Sequence, residues 1–385
     1  MMEKQDQILM KKQNKTFVLD LIKNMAPISR MEISKMTKMS PTSITRIVGE
    51  LQEQGFVKET KLVTSGVGRK AVLLDVCGDV LFTIGVELDK SVLKIGVVNY
   101  LGEMINLQTY VRNPLESYEV TVQNIASKVN SIIELNVIPI DKIIGLAVGL
   151  PGSIDYENGI VRVAEQLRWK NVHLSRDLSE LTSLNVVIDN ELKMKIIAEN
   201  TVGKAKDSKS TILVGIGSGI GSAILLNGEV HRGESNNAGE IGHTVIDPNG
   251  NVCNCGKFGC LCTYISEGAI LADAKKMKDV SSIDDVFSAF RNGESWALNI
   301  LDRTATYIAL AISNLACLYE PECIILSGNL IDKMPEIKQQ IEEKCERYMW
   351  EPIKKNLRIV HSSLGSHGVV LGAAIQAQNS LIDLN

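Results

Sequence analysis

The chain has 385 residues, which is enough for two or three domains that each bury a hydrophobic core. Its hydrophobic share of 45% and charged share of 22% are typical of a globular protein and exclude a fibrous or disordered chain. No apolar run reaches the length of a membrane span, and the polar N-terminus lacks the apolar core of a signal peptide. We therefore expect a cytoplasmic protein with no membrane association. Its eight cysteines then indicate a reducing compartment and not a disulfide framework.

Charge is unevenly distributed along the chain. The formal net charge is −4, yet residues 1–75 contain 13 basic and 8 acidic residues, which leaves the remainder with a net charge of −9. A basic head on an acidic body indicates that the head contacts a polyanion. The residues of the head indicate which polyanion this is.

The head begins with three helical segments that have recognisable boundaries. The first ends before Pro27, and Ser29 is placed to cap the second. After a short turn, Ser40 caps the third helix, and Pro41 occupies its first position. Four apolar residues of the third helix recur at helical spacing and must face a core: Ile44, Ile47, Val48 and Leu51.

The opposite face of the third helix is small, polar and basic. It presents Thr42, Ser43, Thr45 and Arg46. Small hydroxyl side chains let a helix approach DNA closely, and Arg46 can reach a phosphate or a guanine edge. Two helices joined by a short turn, the second with such a face, predict a helix-turn-helix in which these four residues contact DNA.

Two strands joined by a glycine-rich turn at 64–70 complete the head. The turn ends in Arg69 and Lys70, which in a wing would lie against the DNA backbone or in the minor groove. The alternative is a small helical packing domain with a solvent-exposed hairpin. The order of helix, helix, capped helix and basic hairpin favours DNA binding by a winged helix-turn-helix over residues 1–75.

The rest of the chain shows one α/β pattern twice. Three short strands open each half, the first near Val80 and the second near Ser210, and helices alternating with strands follow. Thr83-Ile-Gly-Val and Thr211-Ile-Leu-Val-Gly, about 128 positions apart, open the two blocks. This repetition predicts a duplicated α/β unit with a cleft between two lobes.

A histidine and a group of cysteines lie close together in residues 239–262. Thiolates and a neutral imidazole at short spacing are the ligands that a tetrahedral Zn²⁺ site requires. Glu240, three residues before the histidine, indicates a polyhydroxy ligand beside the metal. The alternatives are a purely structural zinc knuckle and, less compatible with this clustering, a set of free buried thiols. The candidate metal ligands, separated by nine, one and four residues, are His243, Cys253, Cys255 and Cys260.

Gly-Glu-Ile-Gly-His followed by Cys-Asn-Cys-Gly-Lys-Phe-Gly-Cys resembles the signature of the ROK proteins (repressors, open reading frames and sugar kinases). In that family the histidine and three cysteines hold zinc, and the glutamate before Gly-His and the histidine itself contact a bound sugar. The resemblance therefore implies sugar contacts for Glu240 and His243. The family usually has a further sugar-contacting glutamate two residues after the last zinc cysteine. Here that position is Cys262, a thiol that could compete with His243 for the metal.

The same resemblance implies the architecture of the whole chain. The body is similar to the two-lobed actin-like, ribonuclease-H-like fold of the sugar kinases. The head is similar to the winged helix that ROK repressors carry and ROK kinases lack. The implied α/β protein has a DNA-binding domain over 1–75, a first lobe over 76–192 completed by a C-terminal helix at 365–385, and a second lobe with the zinc knuckle over 193–364.

Two segments depart from the pattern of ROK kinases. The kinases have a glycine-rich phosphate hairpin, roughly Asp-x-Gly-Gly-Thr, whose backbone N–H groups hold ATP. Here residues 87–91 read Glu-Leu-Asp-Lys-Ser, without a glycine. In the kinase segment Asn-Asp-Ala-Asn, Asn190 keeps the first asparagine, Glu191 replaces the catalytic aspartate and Lys193 replaces the last asparagine. The extra methylene of Glu191 moves the carboxylate by over ~1 Å, which can cost about a hundredfold in rate.

Asn190 and Glu191 still suit the vicinal hydroxyls of a sugar. The alternative is a structural role, with Asn190 as a helix N-cap and Glu191 in the first turn, and both roles can coexist.

The sequence thus predicts a sugar-responsive, DNA-binding transcriptional regulator, a repressor of carbohydrate-utilisation genes whose kinase-like domain is catalytically degenerate. Its partners would be operator DNA, a sugar or sugar phosphate effector, and further copies of itself in a homodimer or homotetramer. One alternative is an active ATP-dependent ROK sugar kinase of the hexokinase type that also binds DNA. The missing glycines at 87–91 favour the regulator. A third interpretation is a zinc-stabilised oligomerisation scaffold with no small ligand.

Overall fold

The N-terminal domain consists of three helices and a small antiparallel sheet. The computed structural model describes residues 2–63, 71–206 and 208–382. The predicted turn with Arg69 and Lys70 lies outside the described residues. The elements are α1 (Met2–Met25), β1 (Ile28–Ser29), α2 (Arg30–Thr37), α3 (Pro41–Glu53), β2 (Val57–Val63) and β3 (Ala71–Val76). The sheet has the strand order β1-β3-β2.

Local hydrogen bonds place the starts of α2 and α3 at the predicted caps. Ser29 Oγ accepts a hydrogen bond from the Glu32 N–H, and the Glu32 carboxylate accepts one from the Ser29 N–H at 2.9 Å, which forms a capping box. Ser40 Oγ accepts from the Ser43 N–H at 3.1 Å. Between the two helices, Lys38 adopts a positive φ of 58° and turns the chain.

The apolar face of α3 forms the centre of the N-terminal core, as its spacing predicts. Tyr100, from the following domain, joins this core, and its ring lies edge-on to Phe56 with the centroids 5.2 Å apart. Ile382, near the end of the chain, packs against the same core. The N-terminal domain therefore shares apolar packing with the body. The buried residues of α3 are Ile44, Ile47, Val48 and Leu51.

The described part of the body contains two five-stranded sheets and one three-stranded sheet. The first half comprises β4 (Phe82–Leu88), β5 (Val92–Asn99), β6 (Met104–Val111), α4 (Tyr118–Leu135), β7 (Ile143–Leu150), β8 (Ser153–Asp155), β9 (Ile160–Ala164), β10 (Trp169–Val172), α5 (Leu174–Thr182), β11 (Val186–Asn190) and α6 (Glu191–Thr201). The second half comprises β12 (Ser210–Ile216), β13 (Ile220–Leu226), β14 (Glu229–Val230), α7 (Cys262–Ile265), α8 (Glu267–Lys275), α9 (Ile283–Arg291), α10 (Ser295–Tyr319), β15 (Cys323–Ser327), α11 (Asn329–Lys333), α12 (Ile337–Tyr348), α13 (Glu351–Lys354), β16 (Arg358–His361) and α14 (Gly368–Leu381).

The two large sheets have the same topology. Their strand orders are β11-β7-β4-β5-β6 and β14-β13-β12-β15-β16. In each sheet three antiparallel strands are extended by two strands that run parallel to the first of them. β4 carries Thr83 and β12 carries Thr211, and the two strands occupy equivalent places. The strand order therefore shows the duplication that the repeated sequence pattern predicts.

Two helices, α6 and α14, lie between the large sheets and pack directly against each other. Gly372 of α14 permits this contact, since a Cβ atom there would lie 1.7 Å from the carbonyl oxygen of Met194 in α6. Met194 packs with Ala147 of the first sheet, whereas Ile196 packs with Leu213 of the second. This pair of helices therefore connects the apolar cores of the two halves.

The C-terminal helix begins later than the sequence predicts. It starts at Gly368 and not at 365, because Gly365–His367 forms a separate 3₁₀ turn. The division into lobes at 76 and 193 stays a prediction. None of the helices in the described ranges is both long and apolar enough to cross a membrane.

Candidate functional site

The structure brings the four predicted metal ligands together. The ligand atoms of His243, Cys253, Cys255 and Cys260 all lie within 4.8 Å of one another. Cys255 Sγ lies 3.7 Å from Cys260 Sγ, and His243 Nδ1 lies 3.8 Å from Cys253 Sγ. Sulfur atoms at the corners of a tetrahedron, each about 2.3 Å from Zn²⁺, are about 3.8 Å apart. The donor set therefore fits a tetrahedral metal ion.

Glycines allow the chain to fold back around this cluster. Gly256 and Gly259 both have positive φ values, of 82° and 69°. A Cβ atom on Gly259 would lie 1.6 Å from the carbonyl oxygen of Asp247, so only glycine fits there. The Cys253 N–H donates to the Lys257 carbonyl at 2.7 Å and closes the loop. The short Cys-x-Cys spacing is compatible with one metal ion for this reason.

Cys262 stands next to the cluster but outside the set of four. It is the first residue of α7, and its Sγ lies 3.4 Å from Cys253 Sγ. The position that carries a sugar-contacting glutamate in the family therefore holds a thiol that faces the metal ligands here.

Asn190 and Glu191 lie where β11 ends and α6 begins. The Asn190 Oδ1 accepts hydrogen bonds from the N–H groups of Leu192 and Lys193, at 3.0 and 3.4 Å. The Asn190 Nδ2 donates to the Glu191 Oε2 at 2.8 Å. The cap role predicted for Asn190 is thus confirmed, and its amide group also orients the Glu191 carboxylate.

Several carboxylates from both halves of the body lie near Glu191, in the region predicted as the cleft. Burial raises the pKa of the Glu191 carboxyl to about 7, and the charges of Glu240, Asp89 and Glu87 act in the same direction. Like charges have this effect only when they are near one another. The fold therefore brings Glu240, from the loop after β14, and the hairpin at 87–91 to the end of β11.

Glu240 and the predicted metal ligand His243 belong to one tight turn. Residues Ile241–His243 form a 3₁₀ turn, and both side chains are exposed. The turn is held at its start, because the Gly239 carbonyl accepts from the Ser222 N–H at 2.7 Å and from Ser222 Oγ at 3.0 Å. A metal ion bound to His243 would therefore also restrict the position of Glu240.

Side chains occupy the hairpin between β4 and β5. Glu87 is half-buried, and its Oε2 accepts from Lys94 Nζ at 3.0 Å. Lys94 also donates to the carbonyl oxygen of Ser366 at 2.9 Å. Burial raises the pKa of Glu87 although Lys94 opposes this effect. The hairpin thus presents carboxylates and an ion pair where a phosphate-binding hairpin presents backbone N–H groups.

Four of the predicted DNA-contacting residues lie together at the N-terminal end of α3. Ser43 is half-buried and bonded to Ser40 Oγ at 2.9 Å. Arg46 donates to Glu50 Oε1 at 2.8 Å, one turn along the same helix. Glu50 also pairs with Lys11 and Lys15 of α1. The predicted contact residues that are exposed at this end of the helix are Thr42, Thr45 and Arg46.

Sequence reasoning missed an ionic cluster beside the cleft. Asp189 is fully buried, and it accepts hydrogen bonds from Arg232 and, at 2.9 Å, from Asn236 Nδ2. It directly precedes Asn190, so this cluster adjoins the predicted sugar ligands. A single sequence offers no signal that pairs two residues 43 positions apart.

Comparison with known families agrees with this geometry. The ROK family profile matches residues 83–380, which include both large sheets and the Cys/His cluster. The chain belongs to the ROK family.

Curated ROK relatives match almost the whole chain. The xylose repressor of Bacillus subtilis (strain 168) is 26% identical over 379 residues, which cover 98% of each protein. The DNA-binding transcriptional dual regulator NagC of Escherichia coli (strain K12) is 25% identical over 97% of this chain and 94% of NagC. These matches extend into the N-terminal domain, which the ROK profile does not include.

Solved ROK structures match either nearly the whole chain or a shorter part of it. A ROK family transcriptional regulator, a homolog of the E. coli MLC protein, superposes with a TM-score of 0.83 at 27% identity over 96% of both chains. A ROK family glucokinase from Streptomyces griseus, in complex with glucose and AMPPNP, has a TM-score of 0.68 at 23% identity. It covers 78% of this chain and 100% of the glucokinase. The body therefore has the fold of ROK sugar kinases.

The raised pKa of Glu191 predicts a pH-dependent cost to folding. The carboxyl ionises near pH 4.5 in an ordinary environment but near pH 7 in the folded protein. The folded state therefore binds more protons between these values, so stability falls as the pH rises from about 4.5 to about 7 and stays lower above that. We therefore compare the unfolding free energies of Glu191→Gln and the wild type at pH 5 and at pH 8. The difference should shift in favour of Glu191→Gln by on the order of 2 kcal/mol from pH 5 to pH 8.

Denaturant unfolding at the two pH values measures this change. The exposed Glu234→Gln controls for the loss of one charge. A difference between Glu191→Gln and the wild type that is equal at both pH values would contradict the raised pKa.

Proposed function

We propose that this ROK protein is a sugar-responsive transcriptional repressor of carbohydrate-utilisation genes. One observation carries the proposal: the similarity to the xylose repressors and to NagC extends over nearly the full chain, including the N-terminal domain. Because the proposed partner is operator DNA, we also propose a cytoplasmic location.

The N-terminal domain would bind operator DNA through the start of α3. The exposed end of this helix supports the proposal, and Arg46 would exchange its contact with Glu50 for a DNA contact. Arg69 and Lys70 are proposed as the backbone-contacting residues of a wing. A palindromic operator requires two such helices at a fixed separation, which a homodimer or homotetramer provides. The proposed operator contacts on α3 are Thr42, Ser43, Thr45 and Arg46.

The cleft would bind a sugar or sugar phosphate between its two sides. Asn190 and Glu191 come from the end of the first sheet, and Glu240 and His243 come from the loop after the second sheet's edge strand. Carboxylate and amide groups are suitable partners for vicinal hydroxyls. A sugar held from both sides stabilises the closed cleft, and closure would alter the separation of the two recognition helices.

We further propose that the protein does not phosphorylate its sugar. The pair formed by Glu87 and Lys94 occupies the hairpin that would have to admit ATP phosphates. Glu191 displaces the catalytic base, and Cys262 removes a sugar contact. These changes affect both substrates, so each alone would lower the rate and together they leave little transition-state stabilisation.

The metal is proposed to be zinc, held by His243, Cys253, Cys255 and Cys260. The spacing of the ligand atoms and the chemistry of the donors support this choice. Zinc would supply a structural brace that holds the loop carrying His243. It takes no part in a reaction.

A thermal-shift screen combined with a kinase assay tests the proposed function. D-Xylose, D-glucose, N-acetyl-D-glucosamine and their phosphates are compared, and one of them should stabilise the protein. A sugar at a hundred times its dissociation constant contributes ~2.7 kcal/mol. No turnover of that sugar with ATP is expected. Turnover of ~1 per second or more would favour the bifunctional kinase, and the absence of any shift would favour the scaffold without a small ligand.

Elemental analysis tests the metal assignment. The purified wild type should contain one zinc ion per chain, and Cys255→Ser should lose it because a tetrahedral site needs four donors. Cys262→Ser is the matched control, since it removes a neighbouring thiol outside the set of four. A wild type without zinc, or a loss of zinc in Cys262→Ser but not in His243→Ala, would show that the ligand set is wrong.

Operator binding at several salt concentrations tests the DNA interface. Arg46→Ala should weaken operator binding, by about 1–3 kcal/mol with relaxed sequence preference if the side chain reads a base. Arg69→Ala or Lys70→Ala should weaken binding to all sequences and reduce the salt slope by about 1, because phosphate contacts act through counterion release. The exposed Arg347→Ala on α12 serves as the control. An unchanged salt slope in both wing variants would contradict phosphate contacts by the wing.

A further inference from the structure

One segment of the second half, residues 231–240, reaches across to the first half. It is anchored to its own sheet at both ends. The His231 N–H donates to the Ile224 carbonyl at 2.7 Å, and the Ser222 N–H donates to the Gly239 carbonyl at 2.7 Å. The residues between these anchors contact β8, β11 and α6. The segment ends at Glu240, one of the proposed sugar ligands.

Arg232 and Asn236 join this segment to the buried Asp189 at the end of β11. The Asp189 Oδ2 accepts from Arg232 Nη1, and its Oδ1 accepts from Asn236 Nδ2 at 2.9 Å and from the Asn190 N–H at 2.8 Å. Arg232 Nη1 also donates to Asn236 Oδ1 at 3.1 Å. Asp189 is fully buried, so its charge needs this pairing to be tolerated.

Further contacts to the first half hold the backbone around Asn236. The Asn236 Nδ2 donates to the Ile154 carbonyl of β8 at 3.0 Å. The buried ammonium group of Lys193 in α6 donates to the Asn236 carbonyl. Ser153 Oγ donates to Asn237 Oδ1 at 2.7 Å. Lys193, which replaces an asparagine of the kinase pattern, therefore binds the opposite side of the cleft.

We propose that Arg232 is a positioning residue. Its pair with Asp189 holds Glu240 opposite Glu191 in the cleft. The positions of both partners in the chain support this role. Asp189 lies two residues before Glu191, and Arg232 is the second residue of the segment that ends at Glu240. Breaking the pair leaves Asn236 as the remaining contact of the segment with Asp189. The segment is then held less firmly to β11, and the separation of Glu240 and Glu191 is less restricted. The consequence for sugar affinity rests on the proposed function, whereas the constraint on the segment does not.

Arg232 also contacts a tyrosine that is hydrogen-bonded to α14. Its guanidinium carbon lies 3.8 Å from the centroid of the Tyr156 ring. The Tyr156 hydroxyl accepts from Gln376 Nε2 of α14 at 2.6 Å. Two residues on, Gln378 Nε2 donates to the Asn99 carbonyl at 2.8 Å, beside the Tyr100 that packs into the N-terminal core. The residue that positions the cleft thus shares a chain of contacts with the DNA-binding domain.

Two substitutions and a matched control test the role of Arg232. Arg232→Met keeps an unbranched chain over Tyr156 but leaves Asp189 without its charge partner. Arg232→Lys keeps the charge, loses the planar fork and guards against misfolding of the first variant. The control is Arg162→Met, which removes an exposed ion pair with Asp155 in the neighbouring hairpin.

The first measurement is hydrogen exchange of residues 231–240 in the full-length, sugar-free protein. We expect exchange to rise by about tenfold or more in Arg232→Met and by less in Arg232→Lys, because a hydrogen bond to a charged group contributes at least that factor. Arg162→Met should exchange like the wild type. Exchange in both Arg232 variants equal to that of the wild type would overturn the proposal, whatever the protein binds.

The second measurement is calorimetric titration with D-xylose, D-glucose, N-acetyl-D-glucosamine and their phosphates. For any of these that binds the wild type, the dissociation constant should rise about tenfold in Arg232→Met and partly recover in Arg232→Lys. Faster exchange with an unchanged dissociation constant would overturn the role of Arg232 in sugar binding. Arg232 would then only restrict the motion of the segment. If none of these sugars binds the wild type, the proposed function fails, and the exchange result alone supports or overturns the constraint on Glu240.

Discussion

The close packing of α6 against α14 is the constraint on which the rest of the body depends. Gly372 leaves no space for a side chain above the Met194 carbonyl, and Gly85 of β4 meets the Val370 carbonyl, 1.9 Å from where its Cβ atom would lie. Larger residues at either place would separate the layers, because packed interiors do not yield by such distances. The contact fixes the direction of α6. It thereby fixes the place where Asn190 and Glu191 enter the cleft.

Buried and half-buried charges around the cleft form specific hydrogen bonds. Lys195 donates to the Gly365 carbonyl at 3.0 Å, Lys193 donates to the Asn236 carbonyl, and Asp189 is bonded to Arg232. Such groups contribute little net stability, since desolvation offsets their attraction, but an unpaired partner is costly. Their effect is therefore to specify one arrangement of the two sides of the cleft. Lys193 replaces an asparagine of the kinase pattern. Its hydrogen bond to the Asn236 carbonyl helps to specify the arrangement of the two sides.

The tip of the predicted metal-binding loop, residues 247–259, has few buried apolar side chains. Val252 and Phe258 pair across the loop in an isolated bridge, yet their side chains are 65% and 56% exposed. Metal coordination stabilises small loops of this kind. Because His243 and Glu240 share one turn, a metal ion bound to His243 would also limit how far the carboxylate can move. Such an ion and the ionic cluster at Asp189 would restrict the same loop from two ends.

The sequence by itself determined those features that depend on neighbours along the chain. The caps at Ser29, Ser40 and Asn190 were predictable because a side chain bonds to a backbone N–H only two or three residues away. The apolar spacing of α3, the duplicated strand pattern and the cluster of metal ligands were readable for the same reason, and the ROK signature added Glu240. Only the tertiary structure decided that Arg232 meets Asp189, that Lys193 crosses the cleft, and that α14 connects the body with the N-terminal core. These pairs are separated by tens to hundreds of residues, and their contacts depend on how whole sheets and helices pack, which no local pattern encodes.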